Sequence, residues 1–542
     1  MDSHEKVPSQ QGAGKTSLMQ SLKQAPETVA WCLALTPGIL LYGYDLVIVG
    51  NVSSMPEFQK DFGRHLNTKL IIPSLWLGLW NIANPLGGIL GALTAGSIQD
   101  RFGRRFSLAT ASIVSAVGVA VAYTSNLSPE ITTRRSIFFL AKLIQGFAVN
   151  MLMCTTQTYM SEVLPALLRG PVLALFPVFT MIGQLVGSVV VYVSAGVRGE
   201  AGYQRCFASM WAFSALPFLV SCVMPESPIF LLRRGRRDAA RRCQRRLVST
   251  DSAAEKTISS LQSSIELEKQ HTSSTGTKTP TPTPTPSYIA CFQGPKNRRR
   301  TSIVLFANLV PALIGLPLLA KASYFMQVVG MAPHTSLVFL QVGIAAGLVA
   351  NIGGIATVSR FGRVPLTILG FAICAFLWLG MGIAGCFHHR TDPPSTSTSN
   401  SPPPNSIIIP YTQTTLILMT ITLSLSTWPA SYAFGAEASS LHLRAKTQGL
   451  GWLVNCTANG VLGLVLPYIF NEDQGALRGK TGFLFSGFCV LGAGVVWGCV
   501  PEMRGRSVGE VEGIFERIFE GNGGAMEVER GRRERGLSEL IG

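Results

Sequence analysis

Charge is scarce in this 542-residue chain: Asp, Glu, Lys and Arg make up 14% of it, against 47% hydrophobic residues. With a mean hydropathy of +0.33, that scarcity excludes a soluble multidomain protein and points to an integral membrane protein. The eleven cysteines form no CxxC pair and lie mostly in apolar runs, and the seven histidines are scattered, so neither a disulfide framework nor a metal site is indicated. The polar first 28 residues hold no apolar h-region, so no cleavable signal peptide is expected and the first span is expected to direct insertion. The stretch GAGKTS (12–17) lacks the first glycine of a phosphate-binding loop and a preceding strand. No nucleophile–base constellation appears, so neither an enzyme nor an organic cofactor is expected.

What the chain does have is long apolar runs. Twelve stretches can each cross about 30 Å of hydrocarbon as helix: 29–50, 71–97, 107–124, 136–158, 172–195, 207–224, 302–329, 336–358, 364–386, 411–434, 447–469 and 481–500. Glycine and proline recur inside them, as in GGILGALTAG and PALIGLPLLA, where membrane helices use them for close contact and kinks. The expected fold is therefore all-α and membrane-embedded, with twelve transmembrane helices in two six-helix halves.

The net charge of +16 is not spread as in a nucleic-acid binder. Basic residues fall in alternate loops, at Arg101, Arg104 and Arg105, at Arg169, from Arg233 to Arg300, at Arg360 and Arg363, at Arg444 and Lys446, and at Arg504 and Arg506. The positive-inside rule makes these loops and both termini cytoplasmic; Arg134 and Arg135 are the exceptions. Asn51-Val-Ser53 and Asn126-Leu-Ser128 then become outward-facing glycosylation sequons.

A polar, basic stretch of about residues 230 to 301, containing TPTPTPTP, divides the chain and reads as a partly disordered linker. The expected organisation is a disordered N-terminus (1–28), a six-helix half (29–229), the linker (230–301), a second half (302–503) and a cytoplasmic tail (504–542). The loops of the halves match. DRFGR from Asp100 to Arg104 answers SRFGR from Ser359 to Arg363; Glu162 with Arg169 answers Glu437 with Arg444; Pro225-Glu226 answers Pro501-Glu502. The uneven spacing requires an insertion between spans 8 and 10, which TDPPSTSTSNSPPPN supplies. Two such halves are the layout of transporters that rock about a midplane site. Ion pairs among Asp100, Arg101, Arg104, Arg105, Glu162, Arg169, Glu226, Arg360, Arg363, Glu437, Arg444 and Glu502, formed between loops of the two halves, are expected to lock the inner gate.

Asp45 is different, because it stands inside span 1, where an ionisable group costs at least about 2.5–3.5 kcal/mol unless paired, hydrated or protonated. It lies about 7 Å from the outer end of its span and Lys142 about 9 Å from that of span 4, at 1.5 Å per residue. The matched depths pair them. Burial and a cationic partner act in opposite senses on a carboxylate's proton affinity, which is the chemistry of a proton-coupling site; a static ion pair is the plainer alternative. Lys321 in span 7 is split between snorkelling and function. Gln184, Tyr432, Asn455 and Asn459 either line a cavity that binds hydroxyls or make interhelical hydrogen bonds.

Taken together, GYD in span 1, GSIQDRFGRR, YMSEVLPALLRG, PESP and PEMRGRSVGEVEGIFE resemble the sugar porter family of the major facilitator superfamily. More narrowly, AKLIQGF, TYMSEV, MIGQLVGS, YFMQVVG, EASSLHLRAKT, PYIFN and RGKTGF look like the fungal α-glucoside (maltose-type) permeases, which are proton symporters. The resemblance implies Asp45 as proton acceptor, Lys142 as its cation and the proton as coupling ion. In the α-glucoside branch a Glu usually stands at the Lys142 position.

The sugar site departs from the family pattern. Where span 7 normally carries QQxxGxN, this chain has PALIGLP, with Pro311, Ala312 and Pro317 at polar places and only Gly315 kept. Lys321 stands for a tyrosine, Pro177 for a polar residue on span 5, Tyr432 for a span 10 tryptophan and Ile229 for the arginine of PESPR; Asn455 is retained. Each hydroxyl left unpaired costs about 1–3 kcal/mol. The resemblance thus implies a monomeric plasma-membrane symporter for a sugar or sugar-like solute, contacted by Gln184, Gly315, Tyr432, Asn455 and Asn459. The alternatives are a non-transporting nutrient receptor and a symporter of another solute, such as an organic acid attracted by Lys321.

Overall fold

The computed structural model describes residues 26–53, 55–66, 69–248, 251–274, 288–320, 322, 325–326, 331, 333–386, 405–440, 442–470, 477–504, 506 and 508–519. Lys321, the TPTPTPTP tract, the insertion up to residue 404 and most of both termini lie outside these residues.

In chain order, span 1 is Pro26–Ala34 with Thr36–Val52, span 2 Ser74–Phe102, span 3 Arg104–Tyr123 and span 4 Ile131–Val163. Span 5 is Ala166–Leu173 with Leu175–Ala195, span 6 Ala201–Ala208 with Met210–Val223, and span 7 Gly294–Leu313 with Leu316–Leu319. Span 8 is Pro333–Phe361, span 9 Arg363–Cys386, span 10 Asn405–Leu425 with Thr427–Ala438, span 11 Arg444–Phe470 and span 12 Thr481–Cys499. Eleven of these segments are long and apolar enough to cross a membrane. The twelfth, span 2, is 29 residues long and carries Asn81, Asn84 and Gln99 among its apolar residues.

Within the first half span 1 packs on span 5 and span 2 on span 4; within the second, span 8 packs on span 10 and span 9 on span 12. Across the halves, span 2 meets span 11 and span 5 meets span 8. These two seams exchange when the halves are interchanged, as a repeat of six demands. An antiparallel hairpin, Arg64–Leu66 with Lys69–Ile71, decorates the loop between spans 1 and 2.

Close approach of spans 2 and 4 depends on glycine. A Cβ on Gly87 or Gly146 would run into the backbone carbonyl of Leu143 or Asn84 on the facing helix. Small residues let membrane helices touch backbone to backbone, and this contact brings Asn84 and Lys142 together.

The two arginines that break the charge rule are sequestered. Arg135 is buried and donates to the Phe62 and Gly63 carbonyls at 2.8 and 3.0 Å; Arg134 pairs with Asp61 at 3.5 Å. Asn126 is buried too, donating to Glu200 and accepting from Gln204, so its sequon is not presented.

The central region departs from the linker expected of its composition. It holds helices Pro228–Arg233, Arg237–Arg245 and Asp251–Ser274. Leu231, Ala240 and Ile258 bury one another there, and Thr28 at the start of span 1 donates to the Leu247 carbonyl at 2.5 Å. A polar sequence can still be ordered when every few residues one apolar side chain finds a neighbour on the bundle.

At the other end of the chain, helix Val508–Phe519 docks on the start of span 7. Lys296 pairs with Glu512 and, at 2.8 Å, with Glu516, while Arg300 pairs with Glu512 at 2.5 Å and lies over the Phe515 ring. Burial pushes the Glu512 carboxyl up, but Arg300 and Lys296 outweigh it and hold the group below the usual carboxylate value. A depressed carboxylate stabilises the folded state above its unfolded pKa, and that contribution is lost as pH falls through the folded value. Hydrogen exchange of residues 508–519 is therefore expected to accelerate below the ordinary glutamate pKa of 4.5, and Glu512→Gln is expected to remove that pH dependence.

Candidate functional site

Asp45 is held on both oxygens. Lys142 of span 4 binds one and the side-chain amide of Asn84 of span 2 donates to the other. Asp45 and Lys142 are 2% and 3% exposed, which makes this a true interior ion pair. Burying two charges is favourable only when their remaining hydrogen-bonding capacity is met, and Asn84 meets it for the carboxylate.

Beside this pair, between the halves, lies a cavity of about 1090 Å³ counting its open mouth. Its walls come from the middle of spans 1, 5, 7, 8, 10 and 11 and from their ends remote from the basic loops. Gln184, Tyr432, Asn455 and Asn459 line it, with Tyr42, Thr180, Ser424 and Trp428. Asn455 donates to the Asn308 carbonyl at 3.0 Å, and Asn459 donates back to the Asn455 side chain at 3.0 Å. Asp45 does not line the cavity, but its neighbour Leu46 does.

Toward the basic loops the cavity is closed by aromatic rings from both halves. Phe176 stacks on Tyr432 at 5.4 Å, and Trp452 lies edge-on to Tyr42 at 5.8 Å. Beneath them hydrogen bonds tie the halves: Trp452 to Gln157 at 2.8 Å, Arg444 to the Ser161 carbonyl at 3.0 Å and Lys446 to Ser97 at 2.7 Å.

The matching loops have matching geometry. In the first half Arg104 binds Glu162 at 2.7 Å, and Glu226 accepts the backbone N–H groups of Arg104 and Arg105 at 3.0 and 3.2 Å. In the second, Arg363 binds Glu437 at 2.9 Å, and Glu502 accepts those of Arg363 and Val364 at 3.0 and 2.9 Å. Glu226 and Glu502 thus sit on the N-termini of spans 3 and 9, where four N–H groups lack intrahelical partners and the helix dipole favours an anion. The preceding residues, Gly103 and Gly362, have φ of +98° and +87°, and a Cβ on either would press on that glutamate.

Residues 29–515 match the family described as sugar (and other) transporter. The chain belongs to the sugar (and other) transporter family. Among curated proteins it is 27% identical to the MFS transporter fmqE of Aspergillus fumigatus, over 89% of this chain and 85% of that one. It is 26% identical to the maltose permease MAL61 of Saccharomyces cerevisiae, over 92% and 77%. Among solved structures it resembles the proton:xylose symporter XylE bound to 6-bromo-6-deoxy-D-glucose, with a TM-score of 0.74 and 20% identity over 90% of this chain and 99% of that one. An inward open form of XylE from E. coli gives 0.58 at 19% identity, over 90% and 99%. This member of the transporter family is accordingly a multi-pass membrane protein of major facilitator fold, and a transporter rather than an enzyme.

Several expected site residues are placed differently in this transporter. Gly315 is absent from the cavity wall: its φ of +88° breaks span 7, and it is packed against the Trp378 ring. The Arg–Glu pairs of the loops close within each half, because each glutamate is consumed by its own half's arginine or helix N-terminus, while Asp100 of the first half is reached at 4.0 Å both by its own Arg104 and by Lys446 of the second half. Arg101 and Arg360 are exposed, with no ion pair among the described residues. Arg169 is buried and donates to the Leu164 carbonyl at 3.3 Å. Asn84, Ser424 and Trp428 escape a reading of the sequence, since a lone polar residue in a span carries no periodic signal.

Removing one partner of a buried pair leaves an uncompensated charge costing about 3–5 kcal/mol. Lys142→Met is expected to destabilise the protein by about that much, and Lys142→Met with Asp45→Asn by less, measured as melting temperatures in detergent. For Gly103→Ala the strained φ and the pressed Glu226 predict a loss of about 1–3 kcal/mol by the same assay.

Proposed function

We propose that this chain is a proton-coupled secondary transporter that moves a sugar or sugar-like solute across the plasma membrane by alternating access. The observation that carries the reading is the buried Asp45, held by Lys142 and Asn84, one residue along span 1 from the cavity wall. The likeness to a maltose permease and to a proton:xylose symporter supports it.

The mechanism follows from the charges. With Asp45 ionised, its bonds to Lys142 and Asn84 tie span 1 to spans 2 and 4. A proton arriving from the outside removes the carboxylate's charge, and with it the attraction that fixes span 1, which also contributes Tyr42 and Leu46 to the cavity. Solute bound to Gln184, Tyr432, Asn455 and Asn459 draws the walls together across the halves. Each half stays rigid through its own Arg–Glu pair, while the contacts of Arg444 and Lys446 across the basic-loop side break to open the other face. A ligand or proton biases such an equilibrium only by its difference in affinity for the two states, and a few hydrogen bonds worth about 0.5–1.5 kcal/mol each are within that reach.

A second reading, a receptor of the same fold that binds solute without net transport, draws on the loss of the span 7 polar pattern. Uptake of labelled sugars and polyols into cells lacking their own transporters, at acidic and neutral outside pH, separates the two. Accumulation that is stronger in acid and abolished by Asp45→Asn is the expected result; surface-located protein that takes up no solute at either pH would favour the receptor.

A further inference from the structure

Among the described residues the cavity has two unlike faces. Spans 7 and 8 supply Pro311, Leu316, Pro317, Phe339 and Ile344, whose side chains offer no hydrogen bond. Spans 5, 10 and 11 supply the polar strip, with Thr180, Gln184, Tyr432, Asn455 and Asn459 on the cavity wall. Asn308, a polar residue of span 7 nearby, sits in a small side pocket and donates its amide to the Val304 carbonyl.

A free sugar carries hydroxyls around its whole ring. Those turned toward spans 7 and 8 would leave water and gain nothing. Resting on the transport reading above, we propose that the solute is amphipathic, with a hydrogen-bonding edge on Gln184, Tyr432 and Asn459 and a flat apolar body on Pro311, Pro317, Phe339 and Ile344. An aryl glycoside has this form; a free hexose or disaccharide does not.

The test uses the purified full-length protein, with quenching of tryptophan fluorescence for binding and a pH dye inside proteoliposomes for proton entry. The probes are methyl α-glucoside, phenyl α-glucoside and maltose. Burial of the phenyl ring predicts half-saturation by phenyl α-glucoside at a concentration about ten-fold below that for methyl α-glucoside, and Phe339→Ser is expected to shrink that ratio. Equal binding of the two glucosides, tightest binding of maltose, or binding of none of the three would overturn the inference. If free sugars carry protons inward as well as the phenyl compound does, the transport reading stands and this inference falls. Tighter binding of the phenyl compound without proton entry would uphold the inference and remove the coupling.

Discussion

A lysine and an aspartate can share the interior of a helical bundle only if their helices are fixed at contact distance and a third group completes the carboxylate's hydrogen bonds. Here the first condition rests on Gly87 and Gly146, which let spans 2 and 4 touch along their backbones. The second rests on Asn84, delivered by that same contact. Enlarging either glycine would move the amide and the ammonium together. The charge pair, the least favourable feature to build in a membrane, is therefore the one the surrounding helices are most closely adjusted to hold.

A related division governs the loops. Each half keeps its short Arg–Glu contacts to itself: Arg104 with Glu162 and Glu226 over span 3, Arg363 with Glu437 and Glu502 over span 9. Between the halves the ties are hydrogen bonds of an arginine to a carbonyl, a lysine to a hydroxyl and a tryptophan to an amide, with one long ion pair, Lys446 to Asp100 at 4.0 Å. Breaking a buried ion pair by losing a partner costs about 3–5 kcal/mol, whereas such hydrogen bonds contribute about 0.5–3 kcal/mol each and can be exchanged for water. A molecule built so has two stiff bodies and a seam that opens, which is what rocking about a midplane site requires.

Much of this is legible in the sequence. Apolar runs locate the spans, the paired RFGR, Glu–Arg and Pro-Glu motifs reveal the repeat, and equal depth alone matches Asp45 with Lys142. Asn84 is not legible, because a single amide in a glycine-rich helix has many possible neighbours and only packing selects one. Gly315 reads as a relic of a binding pattern, yet the φ of +88° that breaks span 7 explains its presence without any ligand. Loop spacing shows which charges are equivalent, not which are adjacent, and so joins the gate pairs across the halves; in the fold the helix N-termini of spans 3 and 9 compete for the glutamates and win. The linker's helices are hidden by composition, since Leu231, Ala240 and Ile258 are too few to register against so many arginines and serines.

The separation of Asp45 from the cavity bears on how coupling can work. The carboxylate does not line the cavity, so the proton and the solute need not compete for one set of ligands or share a counter-charge. What they share is span 1, which presents Asp45 to spans 2 and 4 and, through Tyr42 and Leu46, a wall to the cavity. Tyr42 also packs against Trp452 of the other half, in the aromatic floor that shuts the cavity from the basic loops. A change in the hold on span 1 is thereby felt at the wall that touches solute and at the floor that must part. Coupling through one helix places few demands on the solute's own chemistry, and it allows the rest of the cavity wall to lose its hydroxyl-binding residues while the charge pair and the loop pairs remain intact.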